Sequence, residues 1–205
     1  MPRAARFIEP NGFYHIISRA LNDTWIFRDY ADFAHIIKLA HTAKEKYPIR
    51  LFHYVIMNTH FHFVLQTSSH TVLSEHIAYL KWHYAMWMRK KYNWKGPLWR
   101  ERYKSLPIEN EDYLFACGMY IEYNPVRAGI CAHPKDYPYS SYRKYHLGSV
   151  DSLTNDYEVN IHINPSSPLD YQSRLAKNLF SRAPAIGSII FVNTFKHPLN
   201  GCPKK

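Results

Sequence analysis

The sequence has few cysteines, no repeated segment and no apolar run long enough to cross a membrane. Its three cysteines, Cys117, Cys131 and Cys202, form no CxxC pair. Such a sparse, odd set argues against a disulfide framework and for a reducing compartment. The opening MPRAARFIEP lacks the apolar centre of a secretory signal. We therefore expect a cytoplasmic protein without a disulfide scaffold.

Positive charge and aromatic rings are both abundant. The 205-residue chain carries 26 Lys and Arg against 16 Asp and Glu, a net charge of +10. Hydrophobic residues make up 46% and aromatic residues 16%, which excludes a disordered tail. This charge fits a polyanionic partner, nucleic acid or a membrane surface, and aromatic rings can stack on bases. Solubility alone is the other explanation of the charge.

The hydrophobic pattern of the first 148 residues alternates between strand and helix periods. The predicted elements are a strand at 13–20, a helix at 30–46, strands at 50–57 and 60–66, a helix from about 73 to 91, a strand at 104–108 and a helix at 111–124. Pro48 ends the first helix, and Pro107 confines the fourth strand to a sheet edge. The order predicts an α+β fold: a ferredoxin-like (split βαβ) antiparallel sheet with helices on one face.

The pattern weakens after Gly148, so we divide the chain into a domain at 1–148 and a C-terminal extension at 149–205. Within the extension, residues 149–168 are polar and contain proline, which is typical of a loop. A short helix near 169–181 and a strand near 187–195 are the elements we expect beyond it.

The stretch MNTHFHFVLQ at 57–66 places two histidines two residues apart in a predicted strand. Alternate side chains of a strand share a face, so His60 and His62 project together, while Phe61 and Phe63 project to the other side. We expect the histidines on the open face of the sheet, where a divalent ion could bind both. Two surface histidines without a ligand are the alternative. An HxHxD hydrolase pattern is absent because Val64 occupies the fifth position.

A second informative stretch is YIEYNPVRAGI at 120–130. Tyr120 and Asn124 are four residues apart and so share a helical face, and Pro125 ends the helix at about Asn124. The Asn124 oxygen could then face a metal, with the Tyr120 hydroxyl beside it. A phenol with a pKa of about 10 is a poor nucleophile at neutral pH, but it can attack a metal-polarised phosphate. A packing tyrosine and a helix-stop signal are the alternative reading.

Several stretches together resemble the single-tyrosine HUH transposases, specifically the REP-associated tyrosine transposase branch. They are FYHIISRALN at 13–22, YVIMNTHFHFVLQT at 54–67, GPLWRERYKS at 96–105, EDYLFACGMYIEYNPVRAGI at 111–130 and DYPYSSYRKY at 136–145. The resemblance implies a ferredoxin-like HUH catalytic domain in 1–148, usually dimeric, that cuts and rejoins single-stranded DNA beside hairpins. No nucleotide cofactor is implied.

The resemblance also implies roles for individual residues. His60 and His62 would bind Mg or Mn, and Asn124 would be the third ligand. Tyr120 would attack the phosphodiester, giving a 5′-phosphotyrosine intermediate and a free 3′-hydroxyl. One departure is visible: the family often has Pro-Asn directly before the first histidine, whereas this chain has Asn58-Thr59.

The segment NWKGPLWRERY at 93–103 is basic and aromatic, as expected of a track for single-stranded DNA. The DNA-binding candidates are Trp94, Lys95, Arg100, Arg102, Lys104 and Arg127. Trp99 and Tyr103 are assigned to packing. Arg127 follows the helix end, so it could either contact phosphate or bond the last helical carbonyls.

Three functions are compatible with these residues. The first is a DNA-cleaving and DNA-joining transposase, and the second is a domesticated protein that holds hairpin DNA without cutting it. The third is a small zinc hydrolase in which His53, on the neighbouring strand, joins His60 and His62. The presence of both histidines and the tyrosine favours the first.

Overall fold

Strands and helices follow one another in the order that the sequence predicts. The structure is a computed structural model that describes residues 8–157. Its strands are β1 (Gly12–Arg19), β2 (Ile49–Met57), β3 (His60–Thr67) and β4 (Lys104–Ile108). Its helices are α1 (Tyr30–Lys46), α2 (His70–Tyr92), α3 (Glu111–Glu122), α4 (Asn124–Arg127) and α5 (Tyr142–Leu147).

The four strands form one antiparallel sheet in the order β2-β3-β1-β4. β1 therefore lies between β3 and β4, although two strands and two helices separate it from β4 in the chain. This is the strand order of the split βαβ fold, and the predicted fold class is confirmed. Pro107 lies on the edge strand β4, where a residue without an N–H interrupts no interior ladder.

Helices α1 and α2 pack against each other on one face of the sheet. Each begins at a side-chain cap: Asp29 accepts a hydrogen bond from the backbone N–H of Asp32, and Ser69 accepts one from Val72. The sheet face beneath them carries Phe61 and Phe63, which are fully buried. Burial of such a ring stabilises the fold by roughly 2–3 kcal/mol.

Helix α3 packs on the other face of the sheet, against β2 and β3. It begins after Asn110, whose side chain accepts a hydrogen bond from the Tyr113 N–H. The prediction of helices on one face thus holds for α1 and α2, whereas α3 lies on the opposite face. Helix α3 follows the six elements of the split βαβ unit. The sheet face opposite α1 and α2 is the apolar surface on which it can pack.

The predicted helix at 111–124 is two helices in the structure. α3 ends at Glu122, and α4 begins at Asn124 with Pro125 in its first turn. Proline lacks an N–H to continue a helical ladder, but it is favoured at the first position of a new helix. Tyr123, at the junction, keeps a right-handed helical conformation, so the chain turns little between Tyr120 and Asn124.

The outer edge of β2 is covered by chain from beyond α4. The Ile56 N–H donates to the Tyr139 carbonyl at 2.9 Å, and the Ser141 N–H donates to the Tyr54 carbonyl at 3.0 Å. Farther along the same edge, the Leu51 N–H donates to Asn155 Oδ1 at 3.0 Å. Covering an edge in this way removes a row of unpaired backbone groups.

The described part of the C-terminal extension, residues 149–157, contains no helix or strand, as predicted. The helix predicted near 169–181 and the strand near 187–195 lie outside the described residues. Within residues 8–157, no helix is both long and apolar enough to cross a membrane.

Candidate active site

His60 and His62 lie on the same face of β3, as strand alternation predicts, with ring centres 5.0 Å apart. The prediction that they lie on an open sheet face is wrong. Both side chains are buried, because α3 packs over this face of the sheet. Any ligand of the pair would therefore meet a site between the sheet and α3 rather than open surface.

The turn before β3 orients His60. Thr59 Oγ1 lies 2.8 Å from His60 Nδ1, a hydrogen-bond distance. The preceding residue, Asn58, donates from Nδ2 to the Phe27 carbonyl at 2.9 Å and accepts the Phe27 N–H on its own carbonyl. The Asn58-Thr59 departure noted in the sequence thus provides an anchored turn with a side-chain partner for the first histidine.

His62 is bonded to a histidine on the neighbouring strand. His15 Nε2 lies 2.8 Å from His62 Nδ1, and both side chains are buried. The register of the β1–β3 pair places Ile17 opposite His62 and His15 opposite Val64, so the two histidines are diagonal neighbours on one face. Sequence reasoning did not single out His15.

Burial keeps these imidazoles neutral at neutral pH. Burial, with a smaller effect of the Arg19 charge, lowers the pKa of His60 to about 3. Burial lowers the pKa of His62 as well, and the neighbouring His60 and His15 lower it further. Neutral imidazole is the form that ligates a metal.

Tyr120 projects from α3 toward the same cluster. Its ring centre is 6.4 Å from that of His15 in an edge-on arrangement. The Arg127 guanidinium lies over the Tyr120 ring at 4.1 Å and also donates a hydrogen bond to the Tyr120 carbonyl. Burial raises the pKa of the Tyr120 hydroxyl, while the nearby Arg127 charge opposes that rise.

Tyr123 points to a different neighbour. Its ring lies edge-on to Tyr142 of α5, with ring centres 6.1 Å apart. Tyr120, by contrast, lies against His15, which bonds His62. Of the two tyrosines in the YIEYNP stretch, Tyr120 is therefore the one beside the histidine cluster.

Asn124 is buried at the start of α4. Its Nδ2 donates to the Ile121 carbonyl at 3.1 Å, which bonds a carbonyl at the end of α3. With Nδ2 held in this way, Oδ1 is an acceptor that makes no hydrogen bond to other described residues. Asn124 thus joins the end of α3 to the start of α4 through its side-chain amide.

These residues have the donor atoms that a divalent metal requires. Nδ1 of His60 and Nδ1 of His62 each lie at hydrogen-bond distance from another side chain. When Nδ1 carries the ring proton, Nε2 keeps the lone pair that can bind a metal. With Asn124 Oδ1, the donor types available are two imidazole nitrogens and one amide oxygen. Imidazole and carbonyl ligands suit Mn²⁺ and, less well, Mg²⁺. The chemistry of these donor atoms therefore fits the metal implied by the resemblance.

The zinc site built on His53 is contradicted by its contacts. His53 Nδ1 lies 2.8 Å from Glu122 Oε1, and His53 Nε2 lies 2.6 Å from the Tyr157 hydroxyl. Both ring nitrogens are engaged, so His53 has no lone pair to offer. Across residues 8–157, no group of three or more His, Cys, Asp and Glu side chains is arranged to hold a metal.

The basic segment meets the site at the end of β1. Arg19 lies directly opposite His60 in the β1–β3 register, and its carbonyl accepts the Arg100 N–H at 3.0 Å. Lys104 lies opposite Ile17 on β4. Arg100, Arg102 and Lys104 are exposed. Arg100 and Lys104 therefore lie next to β1 residues that pair with His60 and His62.

The remaining candidates of this segment lie near the end of α2. Trp94 is half-buried, with the Arg28 guanidinium 5.8 Å from its ring centre, and Lys95 is exposed. No contact among the described residues joins Trp94 or Lys95 to the histidine cluster. Trp99 donates to the Lys81 carbonyl at 2.9 Å, and Tyr103 is buried with its hydroxyl 3.0 Å from Ser74 Oγ, so the packing assignment of these two rings is confirmed.

The sequence prediction did not include His15 and Arg19. The alternation of side chains along β1 could have indicated them. In the strand FYHIISRA, residues 15, 17 and 19 share one face. Whether that face of β1 is the one that carries His60 and His62 depends on the β1–β3 register. The register is set by contacts between residues far apart in the sequence.

Comparison with known proteins places these observations in a family. The family of IS200-like transposases matches residues 10–124, more than half of the chain. No curated protein matches the chain.

Two solved structures are similar to it. One is described as a REP-associated tyrosine transposase bound to a REP hairpin, with a TM-score of 0.57 and 16% identity over 78% of this chain and 93% of that chain. The other is a crystal structure of a Deinococcus radiodurans R1 protein provisionally assigned as a transposase. Its TM-score is 0.41, with 19% identity over 60% of this chain and 96% of that one. The first similarity shows the fold, and the family match identifies the chain: it belongs to the IS200-like transposases.

Proposed function

We propose that this protein is a single-tyrosine HUH transposase of the REP-associated type, which cuts and rejoins single-stranded DNA beside hairpins. The observation that carries the proposal is that Tyr120 and His62 both contact His15. His15 bonds His62 at 2.8 Å and lies edge-on to the Tyr120 ring. A nucleophile candidate from α3 and a metal-ligand candidate from β3 thus share one buried cluster.

In the proposed reaction, the Tyr120 hydroxyl gives its proton to solvent and its oxygen attacks the scissile phosphorus. The P–O3′ bond breaks, the 3′-oxygen gains a proton, and the 5′-phosphate stays on Tyr120 as a phosphotyrosine. Rejoining is the reverse: a 3′-hydroxyl attacks the phosphotyrosine and releases the phenol. Since the energy of the phosphodiester is kept in the protein–DNA bond, no nucleotide cofactor is needed.

Each residue of the site has a separate task. His60, His62 and Asn124 would hold Mg or Mn, which polarises the phosphoryl group and neutralises developing charge. Arg127 opposes the rise in the Tyr120 pKa caused by burial, so it increases the fraction of the nucleophilic phenolate. Arg19, whose charge also lowers the Tyr120 pKa, acts in the same direction from β1.

DNA would approach along the basic segment. The Arg100 backbone is bonded to Arg19, and exposed cations continue from there through Arg102 to Lys104. Phosphates held by this row would lead the strand toward Tyr120. The similar structure is described as bound to a REP hairpin, and we propose the same class of ligand here: single-stranded DNA that carries a hairpin.

We further propose that the active form is a cytoplasmic homodimer, as the family resemblance implies. Light scattering of the 205-residue chain tests the dimer, because the measured mass distinguishes one copy of the 24.3 kDa chain from two.

The experiment that tests the function is adduct formation. We would incubate the protein with Mn²⁺ and a labelled oligonucleotide carrying the inverted repeats that flank its gene, then run a denaturing gel. Wild type and Tyr123→Phe should give a protein–DNA adduct, whereas Tyr120→Phe should give none. His60→Ala and His62→Ala should abolish the adduct while the far-UV circular dichroism spectrum is unchanged.

The same gel, together with a native binding assay in EDTA, decides the other hypothesis, a hairpin-binding protein without cleavage. Wild-type protein that binds the oligonucleotide in EDTA and gives no adduct in Mn²⁺ would support that binding function. An adduct that survives in Tyr120→Phe and disappears in Tyr123→Phe would show that the nucleophile is the other tyrosine.

A further inference from the structure

His15 is a buried histidine whose partner is a proposed metal ligand. Its Nε2 lies 2.8 Å from His62 Nδ1, the two rings are inclined by only 26°, and neither side chain reaches solvent. The ring centres are 5.1 Å apart and the two nitrogens 2.8 Å apart, so the nitrogens lie between the rings, where a hydrogen can point along the acceptor lone pair. The contact is therefore a hydrogen bond rather than ring stacking.

One proton lies between these two nitrogens, and its location decides what His62 can do. A neutral imidazole has one N–H and one lone pair. If Nδ1 of His62 carries the proton and donates to His15, then His62 Nε2 is a lone pair that can bind a cation. If His15 Nε2 is the donor, the proton of His62 is on Nε2, and the same atom cannot ligate.

The second ring nitrogen of His15, Nδ1, does not decide which of the two rings donates. His15 Nδ1 is buried and has no hydrogen-bond partner among the described residues. A histidine that ligates a metal almost always donates its other ring N–H to an acceptor, and the acceptor within reach of His62 Nδ1 is His15 Nε2. No described donor holds His15 Nδ1 as an acceptor. Nδ1 can therefore carry the ring proton, which leaves His15 Nε2 to accept the His62 Nδ1–H.

We propose that His15 is a positioning residue for metal binding: it accepts the His62 Nδ1–H and so holds His62 in the tautomer with a free Nε2. This inference rests on the proposed function, because it assumes that His60 and His62 bind a divalent cation. His15 touches neither substrate nor metal in this arrangement, and its effect is on the affinity of the metal site.

The test is the affinity for Mn²⁺ without DNA, measured by isothermal titration calorimetry and by the electron paramagnetic resonance signal of free Mn²⁺. His15→Leu removes the acceptor and should weaken binding by about 10–100-fold, the usual effect of losing a partner of a ligand histidine. His15→Gln offers an amide oxygen to the His62 Nδ1–H and should restore most of the affinity. His76→Leu is the matched control, because His76 is equally buried but bonds the Tyr47 carbonyl.

A second readout does not depend on Mn²⁺. Two-bond ¹⁵N–¹H correlation spectra distinguish the imidazole tautomers, and His62 should carry its proton on Nδ1 in the wild type and lose that preference in His15→Leu. Wild-type protein that binds no Mn²⁺ would overturn the metal role of the site and this inference together. Wild type that binds Mn²⁺ with the same affinity as His15→Leu would overturn this inference alone and leave the proposed function intact.

Discussion

Glu122 and His53 are bonded to each other in the interior, with Glu122 Oε1 2.8 Å from His53 Nδ1. Glu122 lies two residues after Tyr120 on α3, and His53 lies on β2, so the bond attaches the tyrosine-bearing helix to the sheet. Burial alone would raise the Glu122 pKa, but His53, His146 and Ser141 lower it to about 2. The carboxylate is therefore ionised in the folded protein at neutral pH.

Gly118 allows α3 to lie this close to His53. A Cβ at residue 118 would be 2.5 Å from His53 Nε2, and His53 is held in place by Glu122 and Tyr157. Alanine normally stabilises a helix by about 1 kcal/mol over glycine, but overpacking a core costs roughly 1–3 kcal/mol. We expect Gly118→Ala to be net destabilising in urea unfolding and to reduce adduct formation by displacing Tyr120. A stabilised Gly118→Ala with normal activity would show that the helix does not depend on this close approach.

Stability should fall below about pH 6.5, in part through His76. Burial lowers the pKa of His76 from 6.5 to about 4. The unfolded chain therefore binds a proton more readily than the folded one between these values, and the free energy of unfolding decreases as pH falls through this window. The slope from one such group approaches about 1.4 kcal/mol per pH unit.

His76→Gln should remove this contribution while keeping a donor for the Tyr47 carbonyl. Between pH 7 and pH 5, we expect urea unfolding to show about 1–2 kcal/mol less loss of stability in His76→Gln than in the wild type. His70→Gln, an exposed position on the same helix, is the control and should follow the wild-type curve. If His76→Gln also follows it, the histidine is not a source of the acid sensitivity.

The sequence predicted the elements well because their signals are local. Pro48 predicted the end of α1, and alternation placed His60 and His62 together on β3 before any tertiary contact was known. The roles of residues at strand ends were harder to predict. His15 and Arg19 join the site only through the β1–β3 register, which pairs residues more than forty positions apart.

The burial of the site could not be predicted because it depends on where α3 packs. The split βαβ order specifies the sheet and two helices, and it says nothing about a helix that follows the last strand. Gly118 was the available signal: a glycine within the helix interior implies close packing against a neighbour. The break at Asn124-Pro125 was located correctly, but the new helical turn after it was not, since proline both ends one helix and begins another.

DNA affinity should depend on salt through the basic segment. Arg102 is exposed within it, and each phosphate contact to single-stranded DNA contributes about 0.7 to the slope of log affinity against log salt. We expect Arg102→Gln to weaken binding of a hairpin-bearing oligonucleotide and to lower this slope by about 0.7, measured by fluorescence anisotropy. Lys38→Gln makes the same charge change at an exposed position on α1 and should leave the slope unchanged. Equal slopes in both variants would place the DNA elsewhere.

Arg127 has two roles open to it, and the structure makes them separable. It donates to the Tyr120 carbonyl and lies 4.1 Å over the Tyr120 ring, yet it is exposed enough to reach a phosphate. If its main role is to act on Tyr120, removing its charge raises the Tyr120 pKa further, because burial already raises it and Arg127 opposes that effect. The phenolate would then form only at higher pH.

Arg127→Gln keeps a hydrogen-bond donor for the carbonyl and removes only the charge. We expect the single-turnover rate of adduct formation at pH 7.5 to fall roughly tenfold, which corresponds to about 1.4 kcal/mol in the barrier. The rate should recover as pH rises, so the pH–rate profile moves to the alkaline side. Arg127→Lys retains the charge, and its single-turnover rate should lie between those of the wild type and Arg127→Gln. A phosphate contact predicts the opposite pattern: the salt slope of binding falls, as in Arg102→Gln, while the pH–rate profile stays where it is in the wild type.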